Sequence, residues 1–126
     1  MRLVKASLLG AAALFTTACW AAPARSVAID ADDIAGVVKG PQGPEAGVWV
    51  IAETTDLPTK MAKMVVTDDQ GRYVIPDLPK AKYKVWVRGY GLVDSKPVES
   101  VPGKHIDLAA VIAPDARAAA QYYPAN

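Results

Sequence analysis

The segment Thr67-Asp68-Asp69-Gln70-Gly71-Arg72-Tyr73-Val74-Ile75-Pro76-Asp77-Leu78-Pro79, running on into Tyr83-Lys84-Val85-Trp86-Val87, restricts the fold more than any other part of the chain. Asp69-Gln70-Gly71 suits a tight hairpin turn, because glycine accepts positive φ at little steric cost. Residues 72–75 alternate polar and apolar side chains, as a half-buried strand does. Pro76 and Pro79 end that strand, since neither has an N–H to give to a ladder. Residues 82–88 resume the alternation with Tyr83, Val85 and Val87 on one face. This is the pattern of a small antiparallel sandwich. It specifies architecture closely and chemistry hardly at all.

The same reading extends along the chain. Residues 34–38 form a short apolar run, and Lys39-Gly40-Pro41-Gln42-Gly43-Pro44 then breaks structure as a loop. Residues 47–54 place Val48, Val50 and Ala52 on one face and Trp49 and Ile51 on the other. Apolar residues on both faces predict a central strand, with Trp49 in the core. Residues 62–67 make a third strand. Residues 95–101 read as an edge strand limited by Pro97, and residues 105–112 as the closing strand. Turn signals at this spacing predict an all-β fold, a single antiparallel β-sandwich of about seven strands. Pro114, Asp115 and the alanines after them predict a short C-terminal helical tail.

The two ends read differently. Arg2 and Lys5 followed by the apolar run 6–15 have the form of a signal peptide, with Ala22-Pro23-Ala24 as its cleavage site. Export to the periplasm or medium is therefore expected, with residues 1–24 removed and 25–33 a lead-in. A lipid anchor at Cys19, the sole cysteine, is the less favoured alternative. Without Arg2 and Lys5 the chain carries 12 basic and 13 acidic residues, which gives no electrostatic case for nucleic acid or an anionic membrane. Residues 113–126 are read as a linker leading toward something further, because Tyr122-Tyr123-Pro124 places two aromatics at its end.

Candidate chemistry is sparse. Asp30, Asp32 and Asp33 lack the turn glycine and distal glutamate of an EF-hand loop, and are expected to be a solvated lead-in. His105 and Asp107 share a face but have no nucleophile or further ligand beside them. Asp68 reads as a turn former. No cofactor, no metal and no enzyme activity are expected. The aromatics carry the binding hypothesis. Trp86 falls on the face with Lys82, Lys84 and Arg88, and Tyr90 sits between Gly89 and Gly91 on a loop. Trp86, Arg88, Tyr90, Tyr122 and Tyr123 are the candidate docking residues. The favoured partner is a downstream domain or another polypeptide, and the alternative is a glycan stacked on Trp86 and Tyr90.

Ile34-Ala35-Gly36-Val37-Val38, Gly47-Val48-Trp49-Val50, the Thr67-to-Tyr73 motif and Leu78-Pro79 with Tyr83-Lys84-Val85 together resemble the carboxypeptidase regulatory-like domain. The resemblance spans residues 34–112. It implies a prealbumin-like sandwich, grouped with starch-binding-like folds, and implies no activity. Residues 83–95 with 118–125 are also similar to the amino-terminal module of large exported bacterial proteins. There the module precedes a haem-binding segment and a β-propeller, so this chain is expected to be a truncated version of a longer one. Related cell-surface sandwiches join a lysine of the first strand to an asparagine or aspartate of the last, assisted by a buried carboxylic acid. Lys39 and Asp107 lie in about the right strands, but Val85, Trp86, Val87 and Arg88 stand where the assisting acid would be needed, and no crosslink is expected.

Overall fold

The computed structural model describes residues 26–122. The expected signal peptide, Cys19 and Tyr123 lie outside the described residues. The chain forms β1 (Ile34–Gly40), β2 (Gly43–Pro44), β3 (Trp49–Thr54), β4 (Met61–Val66), β5 (Arg72–Ile75) and β6 (Tyr83–Arg88). It continues through β7 (Leu92–Val93), β8 (Val98–Ser100), β9 (Lys104–His105), β10 (Leu108–Ala109), β11 (Val111–Ile112) and α1 (Ala116–Ala120). The fold is all-β and sandwich-like, with a short C-terminal helix. Among the described residues no helix is long and apolar enough to cross a membrane.

One sheet has the order β4-β3-β6-β8, antiparallel throughout. The other is organised around β1. Antiparallel β5 and β2 lie along one edge, and β9 and β10 pair with the other. The inward side chains are those that the alternation picks out. Ile34 and Val38 of β1 and Tyr73 and Ile75 of β5 meet Val50 and Ala52 of β3 and Tyr83, Val85 and Val87 of β6. Burying each such aliphatic side chain contributes roughly 1.5–3 kcal/mol. The buried Tyr83 hydroxyl donates to the Pro79 carbonyl at 2.7 Å, so the bend bracketed by proline is tied to the core.

Three details depart from the sequence expectation. The Asp69-Gln70-Gly71 turn is tight, with Gly71 at φ 74°, but it is not a hairpin within one sheet. It carries the chain from β4, paired with β3, to β5, paired with β1. Gly71 is held against β1, where an added Cβ would stand 2.6 Å from the Val38 carbonyl oxygen. The expected closing strand is three short segments, and β9 and β10 run parallel to β1. A parallel neighbour requires a crossover, which the intervening strands of the opposite sheet supply.

The break between β9 and β10 has a local cause. The Ile106 amide donates to the Ala35 carbonyl at 2.7 Å, and the Ile106 carbonyl accepts the Tyr73 hydroxyl at 2.6 Å. The Val37 amide donates to Asp107 Oδ1 at 3.0 Å, so a side chain replaces a backbone rung. Gly36 makes this possible, because a Cβ there would stand 1.7 Å from the Ile106 carbonyl oxygen. Burial, aided by the negative charge of Asp107, pushes the Tyr73 phenol well above its usual range.

The lead-in is also less solvated than expected. Asp33 is buried, accepting the Asp30 amide on Oδ2 at 2.9 Å and the Asp77 amide on Oδ1 at 3.3 Å. It clasps the entry to β1 onto the bend after β5. The charge is spent on backbone donors rather than on water.

Candidate functional site

In an antiparallel ladder, paired residues project to the same face. The register of the four-stranded sheet therefore sets out its outer face row by row. Val66, Trp49 and Arg88 form one row, and Met64, Ile51 and Trp86 the next. Ala62, Glu53, Lys84 and Glu99 follow. Trp86 lies on the outer face with Lys84 and Arg88, where the alternation places it. Trp49 does not lie in the core. It is half-buried on the outer face, because β3 is central within its sheet while only one side of that sheet is covered by the other.

Tyr90 stands over Trp49, with ring centroids 5.5 Å apart and planes inclined at 50°. That tilted contact is favourable for two aromatic quadrupoles. Tyr90 is 74% exposed, Met64 59% and Val66 57%. Ile51 is buried beneath them. The result is a contiguous apolar patch on one side of the outer face, formed by Tyr90, Trp49, Val66, Met64 and Ile51. Trp86 forms its border.

Arg88 is committed within the chain. Its Nε and Nη2 donate to Asp94 Oδ1 and Oδ2 at 2.8 and 2.7 Å, a bidentate pair that pins the 89–94 loop. These hydrogen bonds hold the guanidinium still more firmly in its charged form. Ser95 completes the anchor by accepting the Val87 amide on Oγ at 2.8 Å. Asp94 and Ser95 were not singled out from sequence, because a loop acid and a serine give no periodic signal.

Beyond Trp86 the face turns polar. A groove with a volume of about 450 Å³ runs over the ends of β3, β6 and β8, with Trp86, Pro97 and Tyr83 in its lining. Glu53, Lys84 and Glu99 come from the third row, and Asp94, Asp56 and Lys82 also line it. Glu53 is bridged to Lys60 at 2.7 Å.

The remaining candidates are occupied structurally. Tyr122 is half-buried, and its amide caps α1 through the Ala119 carbonyl at 3.1 Å. Helix α1, started by Asp115 accepting the Ala118 amide at 2.7 Å, packs on β7 through the buried Ala119. His105 Nε2 lies 2.7 Å from the Val27 carbonyl, while Asp107 is held by Val37, so the two do not act on each other. Lys39 and Asp107 are both exposed, and neither is desolvated as crosslinking chemistry would require. The carboxylates of Asp30, Asp32 and Asp33 gather within 4.8 Å of one another. Of the three, the Asp33 carboxylate is taken up by the backbone clasp, and those of Asp30 and Asp32 are exposed.

No protein-family model matches this chain, and no curated protein matches it.

Proposed function

We propose that the chain is a non-catalytic structural and interaction module of an exported, multidomain protein, built on a carboxypeptidase regulatory-like sandwich. Its working surface is the outer face of the β4-β3-β6-β8 sheet, and its occupant is a polypeptide, either a further domain of the same protein or another chain. One observation carries this reading. The central strand β3 is apolar on both faces from Trp49 to Ala52, and its outer apolar face is left open around Tyr90, Trp49, Met64 and Val66. Aromatic and methionine side chains on a rigid sheet are the composition of interface cores. The non-catalytic part is supported by the occupation of Asp33, Asp68, His105 and Asp107 with backbone groups.

Site-directed photocrosslinking in the source cells tests the docking. A photoreactive residue at position 64 is expected to yield a discrete adduct, whereas one at Gln42 on the opposite sheet's loop is not. The adduct should vanish on Tyr90→Ala combined with Val66→Asp. Equal labelling from positions 64 and 42 would remove the proposal. A carbohydrate-binding role draws on the groove beside Trp86, a different part of the same face, and is taken up next.

A further inference from the structure

We infer that the groove over β6 and β8 is a binding site for a neutral sugar, with one ring stacked on the Trp86 indole. This goes beyond polypeptide docking and does not depend on it, since the apolar patch at Tyr90 and Met64 lies outside the groove lining.

The argument starts from charge. The groove is lined by the carboxylates of Glu53, Asp56, Asp94 and Glu99 and the ammonium groups of Lys82 and Lys84. Two of those acids carry outside partners: Glu53 pairs with Lys60 and Asp94 with Arg88. Four acids thus meet four bases, and the groove has no net charge to attract an anion or a cation. It nevertheless offers donors and acceptors of both kinds along its rim. A ligand suited to it is uncharged and rich in hydroxyl groups.

The second part of the argument is shape and apolarity. Trp86 is half-buried, fixed on the central part of β6 by pairing with Ile51. Pro97 stands beside it on the groove wall. A pyranose ring has an apolar face of C–H groups and an equatorial rim of hydroxyls. An indole matches the first, and a ring of carboxylates and ammonium groups matches the second. The volume of about 450 Å³ falls within the range of small-ligand sites.

The third part is preorganisation. The bidentate Arg88–Asp94 pair, the Lys60–Glu53 bridge and the Asp56 Oδ2 contact to the Lys82 amide at 3.1 Å hold three of the acids before any ligand arrives. Less ordering is then left for binding to supply.

The test is a titration of the full-length protein with neutral oligosaccharides (a maltooligosaccharide, a cellooligosaccharide, a xylooligosaccharide and a β-1,3-glucan oligomer), followed by tryptophan fluorescence and calorimetry. A uronate polymer serves as the charged comparison. Saturable binding to at least one neutral oligomer, little changed by added salt, is expected. Trp86→Ala should weaken it at least about tenfold, or ~1.4 kcal/mol, while Tyr90→Ala with Met64→Ser should leave it intact. Should Trp86→Ala fail to fold, Pro97→Arg fills the groove from an exposed position and is expected to give the same loss. The inference is overturned by no saturation with any neutral oligomer. It is equally overturned by binding confined to the uronate polymer, or by unchanged binding in both Trp86→Ala and Pro97→Arg. None of these outcomes affects the crosslinking at position 64, so the two proposals fail separately.

Discussion

Gly36 shows how much one missing side chain decides in this fold. It lies in the middle of β1, between β5 on one edge and the closing segment on the other, and the Ile106 carbonyl occupies the place where a Cβ would stand. The same carbonyl takes the Tyr73 hydroxyl, so three elements meet over one glycine. Gly36→Ala forces either β1 or the Ile106 peptide to move and breaks that hydrogen bond. The expected cost is about 3 kcal/mol, read as a lowered urea midpoint with unchanged slope. An alanine variant within experimental error of the parent would show that the Ile106 carbonyl is not held there. Period-two alternation gives no warning of such a site, since it reports which face a residue takes and not what crosses it. The same limit explains Trp49 and Trp86. Alternation placed Trp86 outward, but for Trp49 it could show only a second apolar face, and whether that face is covered depends on the other sheet.

At the level of elements, the turn joining β4 to β5 was legible and its destination was not. Asp68 starts it by accepting the Gln70 and Arg72 amides on Oδ1, both at 2.9 Å, and the Arg72 guanidinium on Oδ2 at 2.7 Å. The hydrogen bond from the Arg72 amide, with the further donors, draws the Asp68 carboxyl below the usual range, against an opposing desolvation. A lowered folded-state pKa favours the native state once the unfolded carboxyl is ionised. The contribution is therefore complete above about pH 4 and is lost as pH falls through the folded value. Asp68→Asn should destabilise the protein at neutral pH and flatten this part of the acid dependence. Thermal unfolding of both proteins from pH 7 down through the carboxylate range would show their stabilities converging. Curves that stay parallel would contradict it. The turn sends the chain into another sheet because β4 is already an edge strand. Its inward residue Lys63 donates to the Pro76 and Asp77 carbonyls. A lysine turned inward on an edge strand discourages further pairing, and it also blurs the apolar rhythm by which the strand's outer face could be told from its inner one. Met64 and Val66 were passed over as site residues for that reason.

For the whole molecule, the decisive contact is between β1 and the β9–β10 segment, and no local pattern encodes it. Val37 and Asp107 are joined across 70 positions, and Val38 pairs with Leu108 beside them. The β4-β3-β6-β8 sheet can form from closer neighbours, whereas the β1 sheet is completed only when the chain returns. Closing so long a loop costs entropy before its contacts repay it, which predicts folding in milliseconds to seconds and late formation of the β1–β10 pair. Leu108→Ala, at a buried position, should cost about 2–5 kcal/mol and express it mainly as faster unfolding. Val50→Ala, in the central strand β3, should act more on the folding rate, because its sheet is assembled earlier. Stopped-flow refolding and unfolding of the two variants separates these cases. If Leu108→Ala slows folding by as large a share of its destabilisation as Val50→Ala does, the closing segment is part of the nucleus. Assembly would then begin by bringing the two ends of the domain together.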